Sequence, residues 1–186
     1  MFKRSPLLLA AVTGALMLGV AGTALAVDRV SFEYGTTDDD RASADRYGAT
    51  VAWNLGGEWL KLGQFSLTTY IEAGLNVWDG DKGTTGNGTN VDGHVTPVLR
   101  LQRELASNLP VFIEAGAGFH GYSDTKIDGR DFDIPFAFGS HFGAGLRFGP
   151  GAHLEVMYRY QHQSNAGLGD DNPGINFHLM SLGYHF

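Results

Sequence analysis

The sequence predicts an all-β fold: an eight-stranded antiparallel transmembrane β-barrel of the bacterial outer membrane over residues 27–186, behind a cleaved signal peptide at residues 1–26. Three observations carry that expectation. Apolar residues recur at every second position in eight separate stretches. The positions between them hold Gly with a few Arg, Glu and His. The connectors alternate long and short. A period of two is the side-chain period of a strand with two unlike faces.

The elements follow in chain order. Lys3 and Arg4 precede an apolar run from Leu7 to Val20, and Ala24-Leu25-Ala26 supplies a small-x-small cleavage site. That is the anatomy of a secretory signal peptide cut after Ala26, and the run is too short for a membrane anchor. Val30, Phe32 and Tyr34 begin the first strand, and Tyr47, Ala49, Val51, Trp53 and Leu55 form the second. Phe65 to Val77 supplies the third and Val91 to Leu101 the fourth. Val111 to Phe119 supplies the fifth and Ile134 to Phe148 the sixth. Leu154, Val156, Tyr158 and Tyr160 open the seventh, and Leu182, Tyr184 and Phe186 close the eighth.

The second face decides between barrel and sandwich. A sandwich exposes its polar face and is free to place Lys there. Here that face carries Glu72, Asn76, His94, Arg100, Glu114, His120, His141, Arg147, Glu155 and Arg159 among glycines. A narrow barrel filled by paired side chains has this composition. Tyr34, Trp53, Trp78, Phe119, Phe148 and Tyr184 sit near strand ends, as in the aromatic girdles of membrane barrels. Long connectors fall near 37–45, 79–90, 123–133 and 167–174, and short ones near 56–63, 105–109 and 149–152. Four long loops and three short turns suit eight strands with both ends periplasmic. The terminal Tyr184-His185-Phe186 resembles the terminal signal of outer-membrane proteins.

Composition narrows function. There is no Cys, so disulfides, thiolate metal sites and thiol nucleophiles are excluded. The net charge of -7 argues against a nucleic-acid partner, and loss of Lys3 and Arg4 makes the mature chain more acidic still. Glycine, at 27 residues, is about twice its usual ~7% share without a collagen period.

The apolar parity breaks at one place. Continuing the outward face of the seventh strand beyond Tyr160 puts His162 and Ser164 outward, and counting back from Phe186 puts His178 and Asn176 outward on the eighth. Polar groups facing lipid are costly, so a cluster of them asks for a reason. A histidine two residues from a serine can act as base to its hydroxyl. Asn176 could accept the other imidazole N–H and fix the tautomer. The turn Asn165-Ala166-Gly167 offers donors for an oxyanion hole.

The segment Arg159-Tyr160-Gln161-His162-Gln163-Ser164-Asn165-Ala166-Gly167-Leu168, with Asn172-Pro173-Gly174-Ile175-Asn176, resembles the C-terminal signature of the PagL family of lipid A 3-O-deacylases. The resemblance implies a serine esterase that removes the 3-O-linked hydroxyacyl chain of lipid A, the lipopolysaccharide anchor, in the outer membrane. It implies His162 as general base, Ser164 as nucleophile and Asn176 in the place of a third member that is often Glu. It puts the oxyanion hole at Asn165, Ala166 and Gly167, with no metal or cofactor, and a site facing the outer leaflet. A non-catalytic structural or adhesion barrel, or another lipid-active barrel such as a phospholipase or acyltransferase, are the alternatives.

Other residues have blander readings. His94, His120 and His141 are expected as satisfied interior histidines rather than metal ligands, and the interior Glu and Arg residues as a charge network. His178 could contact lipid or tune the site. Asp38-Asp39-Asp40 reads as a solvated loop, with a shared divalent cation as the sharper option. Lys126 and Arg130 could meet lipid phosphates.

Overall fold

The computed structural model describes residues 26–38, 43–57, 59–80, 88–127 and 130–186. The expected leader, all but Ala26, lies outside them, as do Asp39 and Asp40.

Eleven strands are present among the described residues: β1 (Arg29–Thr37), β2 (Ala44–Asn54), β3 (Leu60–Leu62), β4 (Phe65–Gly80), β5 (Thr89–Ala106), β6 (Leu109–Tyr122), β7 (Lys126–Ile127), β8 (Arg130–Asp131), β9 (Phe136–Phe148), β10 (Leu154–Ser164) and β11 (Ile175–His185). Eight of them, β1, β2, β4, β5, β6, β9, β10 and β11, close an antiparallel barrel: β11 pairs β1, β1 pairs β2, and β2 pairs β4. The shortest of the eight has nine residues, enough to cross a hydrocarbon core when tilted. Closure leaves no unpaired edge, the condition for a sheet in lipid.

The three small strands were not expected. β3 pairs with Leu67, Ser66 and Phe65, so the first short connector is a hairpin that prolongs β4. β7 and β8 form a two-residue ladder within the third long connector. The third short connector carries a one-turn 3-10 helix at Pro150–Ala152.

The two faces separate as the parity requires. Phe32, Leu75, Val95, Leu99, Phe119, Phe142, Met180 and Leu182 are exposed on the outside. The inside is charged. Arg29 binds Glu72 at 2.7 Å and Glu155 at 2.8 Å, and Arg100 binds Glu114 at 2.7 Å and Glu155 at 2.6 Å. Arg159 reaches Glu72 at 2.8 Å, Glu114 at 2.9 Å and Glu33 at 3.3 Å. Arg147 differs from its expected place in this network: it is half-buried near the short-turn end and donates to Ala152 O at 2.8 Å. Glycines make room for the larger interior groups; a Cβ on Gly116 would stand 2.5 Å from His141 Cε1.

Toward the long-loop end the interior turns apolar. Trp78, Tyr122, Phe132, Ile175, Phe177 and Leu179 form one buried cluster. Trp78 is therefore not a girdle residue. It follows the outward Val77 by one position, and alternation sends it inside, where it packs 4.9 Å from Phe177 between ring centroids.

Candidate active site

β10 and β11 carry the expected residues on one outward surface. Their register pairs His162 with Asn176, and Tyr160 with His178. On β10 the inward residues Gln161 and Gln163 are buried while His162 between them is exposed. On β11 buried Ile175 and Phe177 flank the half-buried Asn176. The site thus stands directly on the apolar cluster. Tyr122 OH adds a 2.6 Å bond to Gln163 Oε1 from inside. Side chains locked on their inward face hold the strand that presents the outward ones.

His162 Nδ1 lies 2.7 Å from Asn176 Oδ1. An amide oxygen only accepts, so the proton sits on Nδ1 and Nε2 keeps its lone pair. That is the tautomer a general base needs. Ser164 follows two residues along the same face, half-buried, with no hydrogen bond to His162 among the described residues. Gly174 closes one side of the ring. Its φ is 59°, and a Cβ there would stand 3.0 Å from His162 Cε1, so any larger residue would be strained and would press on the imidazole.

The turn after Ser164 has the shape of a type I′ turn. Leu168 N donates to Asn165 O at 3.1 Å, and φ is 55° at Ala166 and 77° at Gly167. Asn165 is buried and organises this turn. Its Nδ2 donates to Asp171 O at 2.7 Å and Phe132 O at 3.1 Å, and its Oδ1 accepts from Gly167 N at 2.9 Å. Its own N–H donates to Asn172 Oδ1 at 2.9 Å. The side chain that the sequence offers as an oxyanion donor is thus engaged inward.

Sequence reading missed the support from the third long connector. Arg130 Nη1 donates to Pro173 O at 2.6 Å and Gly174 O at 2.5 Å, and Asp133 Oδ2 accepts from Asp170 N at 2.7 Å. Arg130 grips the backbone beside His162, and Lys126 pairs with Asp131 at 3.0 Å. Ser140 of β9 was missed as well. It is exposed and pairs with His162 on the side opposite Asn176. The signal was available: Ser140 breaks the apolar parity between Phe138 and Phe142.

Two of the three interior histidines are hydrogen-bonded as expected, whereas His141 Nε2 is buried without a hydrogen-bond partner among the described residues, 3.7 Å from Glu114 Oε1. His120 Nδ1 lies 2.8 Å from Asp92 Oδ1, and His94 Nδ1 lies 3.2 Å from Asn76 Nδ2. Asp92, His94 and His120 bring one ligand atom each within 4.8 Å, the one group of this kind among the described residues. Each of these residues is hydrogen-bonded within the interior, and the group lies inside the barrel, away from the outward surface.

The family profile described as Lipid A 3-O-deacylase (PagL) matches residues 45–185. The chain belongs to the PagL family. The family is one of enzymes. The Lipid A deacylase PagL of Bordetella bronchiseptica is 30% identical over 195 residues, covering 99% of this chain and 98% of the relative. That of Pseudomonas aeruginosa is 32% identical over 171 residues, covering 91% and 92%. The crystal structure of the outer membrane enzyme PagL superposes with a TM-score of 0.75 at 26% identity, over 85% of this chain and 99% of that one. Neisserial surface protein A shares the fold alone, with a TM-score of 0.53 at 8% identity over 85% of this chain and 95% of that one.

Proposed function

We propose that this chain is a serine esterase of the outer membrane that hydrolyses the 3-O-linked hydroxyacyl chain of lipid A, with Ser164, His162 and Asn176 as its catalytic group. The observation that carries the reading is the outward His162–Asn176 hydrogen bond at 2.7 Å, two residues from a serine, in a chain of this family. A membrane barrel with no reaction to perform has no use for a base of fixed tautomer on its lipid-facing surface.

In this reading the reaction runs in two halves. The ester enters sideways from the outer leaflet, with its acyl chain along the apolar wall. Ser164 Oγ attacks the ester carbonyl carbon while His162 Nε2 takes the hydroxyl proton. The carbonyl π pair moves onto oxygen. Gly167 N–H is engaged by Asn165 Oδ1, so the Ala166 N–H of this left-handed turn is the donor left to take the oxyanion. The tetrahedral species collapses, the bond to the sugar oxygen breaks, and His162 returns its proton to that oxygen. Water then repeats the sequence on the acyl-enzyme and releases the hydroxy fatty acid. Asn176 orients the ring throughout. Being neutral, it stabilises the imidazolium less than a carboxylate would.

The signal peptide at 1–26 and the long loops on the outer side complete this reading. Mass spectrometry of lipid A from cells making the wild type or Ser164→Ala tests it. Loss of one hydroxyacyl mass with the wild type and not with the variant is expected. A folded wild-type barrel that leaves purified lipid A intact in detergent would refute it.

A further inference from the structure

Beside the His162–Asn176 pair lies a second outward polar group that the deacylation steps leave unused. Tyr158 OH is 2.6 Å from His178 Nδ1. Tyr160 OH donates to Asp38 Oδ2 at 3.0 Å, and His178 Nε2 stands 3.6 Å from the same oxygen. Tyr158 and Tyr160 lie against the His178 ring, with centroids at 6.0 and 5.1 Å. His178 is two residues from Asn176 on β11 and pairs with Tyr160 of β10 and Thr36 of β1. The group therefore extends the catalytic surface sideways over β11 toward β1. The His178 and Asp38 side chains are 44% and 32% exposed.

The chemistry of the pair is specific. A carboxylate in front of Nε2 keeps the ring proton there, so Nδ1 accepts from the Tyr158 hydroxyl. At 3.6 Å, Nε2 and Oδ2 are too far apart to be hydrogen-bonded. As it stands, an N–H donor and a carboxylate acceptor lie side by side without bonding each other, next to the place where the ester must sit, and the carboxylate keeps lone pairs beyond the one that takes the Tyr160 hydroxyl. A hydroxyl both donates and accepts, and it matches such a pair. A phosphate does not, because the Asp38 carboxylate repels it.

The geometry points to a hydroxyl-binding subsite for the substrate, formed by His178 Nε2 and the Asp38 carboxylate and oriented by Tyr158 and Tyr160. It rests on the deacylase reading and adds a specificity element to it. The hydroxyl belongs to the sugar or to a hydroxyacyl chain beside the scissile one; both offer the same chemistry.

The test uses the full-length protein in detergent and two synthetic lipids. Both are diacylglucosamine phosphates, one with 3-hydroxyacyl chains and one with plain acyl chains. With the hydroxyacyl lipid, His178→Phe and Asp38→Ala each raise KM about tenfold and leave kcat within about twofold, while His178→Gln, which keeps a donor, restores most of the loss. If the KM effect persists on the plain-acyl lipid, the bound hydroxyl is the sugar's; if it disappears, it is the acyl chain's. An unchanged KM in both His178→Phe and Asp38→Ala overturns the inference. So does an equal fall of kcat in His178→Phe and His178→Gln, which would mark a structural role. A wild type that cleaves neither lipid removes the deacylase reading and this inference with it, a result distinct from active variants with unaltered KM.

Discussion

Near its end, β10 carries polar residues on both faces, and the two sets do opposite things. Inward, Glu155, Arg159, Gln161 and Gln163 are buried, and each is hydrogen-bonded across the barrel. Outward, His162 holds one side-chain partner and Ser164 none among the described residues. Alternation along one strand therefore separates two kinds of polar residue: the inward set is paired across the barrel, while the outward set leaves His162 Nε2 and Ser164 Oγ without a side-chain partner among the described residues. A buried ion pair is no proof of net stability, but breaking one from a single side leaves an uncompensated charge. An outward serine can be truncated with no such penalty.

Ser164→Ala draws the contrast most sharply. Turnover is expected to fall by at least about 10³-fold, while the denaturation midpoint in detergent stays within about 0.5 kcal/mol of the wild type. Arg159→Met should do the reverse. It strips a guanidinium from Glu33, Glu72 and Glu114, and about 3–5 kcal/mol of stability should go with it. Urea titration of the detergent-solubilised barrel measures the loss. If Arg159→Met lowered only turnover, or Ser164→Ala only stability, the division between the faces would be wrong.

Asn176 sits at the boundary between the two sets. Asn176→Ala frees the His162 ring from its partner and should cut kcat about 10²-fold. Asn176→Asp keeps the shape and places a full charge 2.7 Å from Nδ1. A hydrogen bond to a charged group is roughly twice as strong as a neutral one, so kcat should rise about tenfold. Equal kcat in Asn176→Ala and wild type would remove Asn176 from the mechanism and leave it a strand residue.

How much of this the sequence discloses depends on the range of the contact. Period two places all eight barrel strands, because each strand's pattern is local. It places His162, Ser164, Asn176 and His178 on one surface, because parity counts reliably from Tyr160 and from Phe186. Trp78 was legible too, since its neighbour Val77 belongs outside; proximity to a strand end was the weaker guide. Arg130, Phe132 and Asp133 were not. They meet the site loop across 33 to 44 residues, from an irregular connector with no periodic signal. Asn165 shows the same limit: its residue type suits an oxyanion donor, and only the packed loop shows its amide turned inward.

Arg130 extends the comparison to the loops. It belongs to the third long connector, and its guanidinium binds the carbonyls of Pro173 and Gly174. Arg130→Met leaves those carbonyls with water and loosens the backbone beside the His162 ring. About 1–3 kcal/mol of local stability should be lost, seen as faster hydrogen exchange over residues 165–176, with kcat falling more than KM changes.

The smallest effect concerns Ala166, where the outward set carries its own strain. A non-glycine residue at a φ of 55° is disfavoured by about 1–2 kcal/mol relative to ordinary backbone. Ala166→Gly relieves that strain and should raise the denaturation midpoint by the equivalent of about 1 kcal/mol or less, since glycine's greater unfolded freedom offsets part of the gain. Ala166→Val should lower it by about 1–2 kcal/mol, because a β-branched side chain tolerates this conformation worst. If the two variants were equally stable, the left-handed turn would not be a fixed feature of the loop, and the aim of its N–H groups would need another cause.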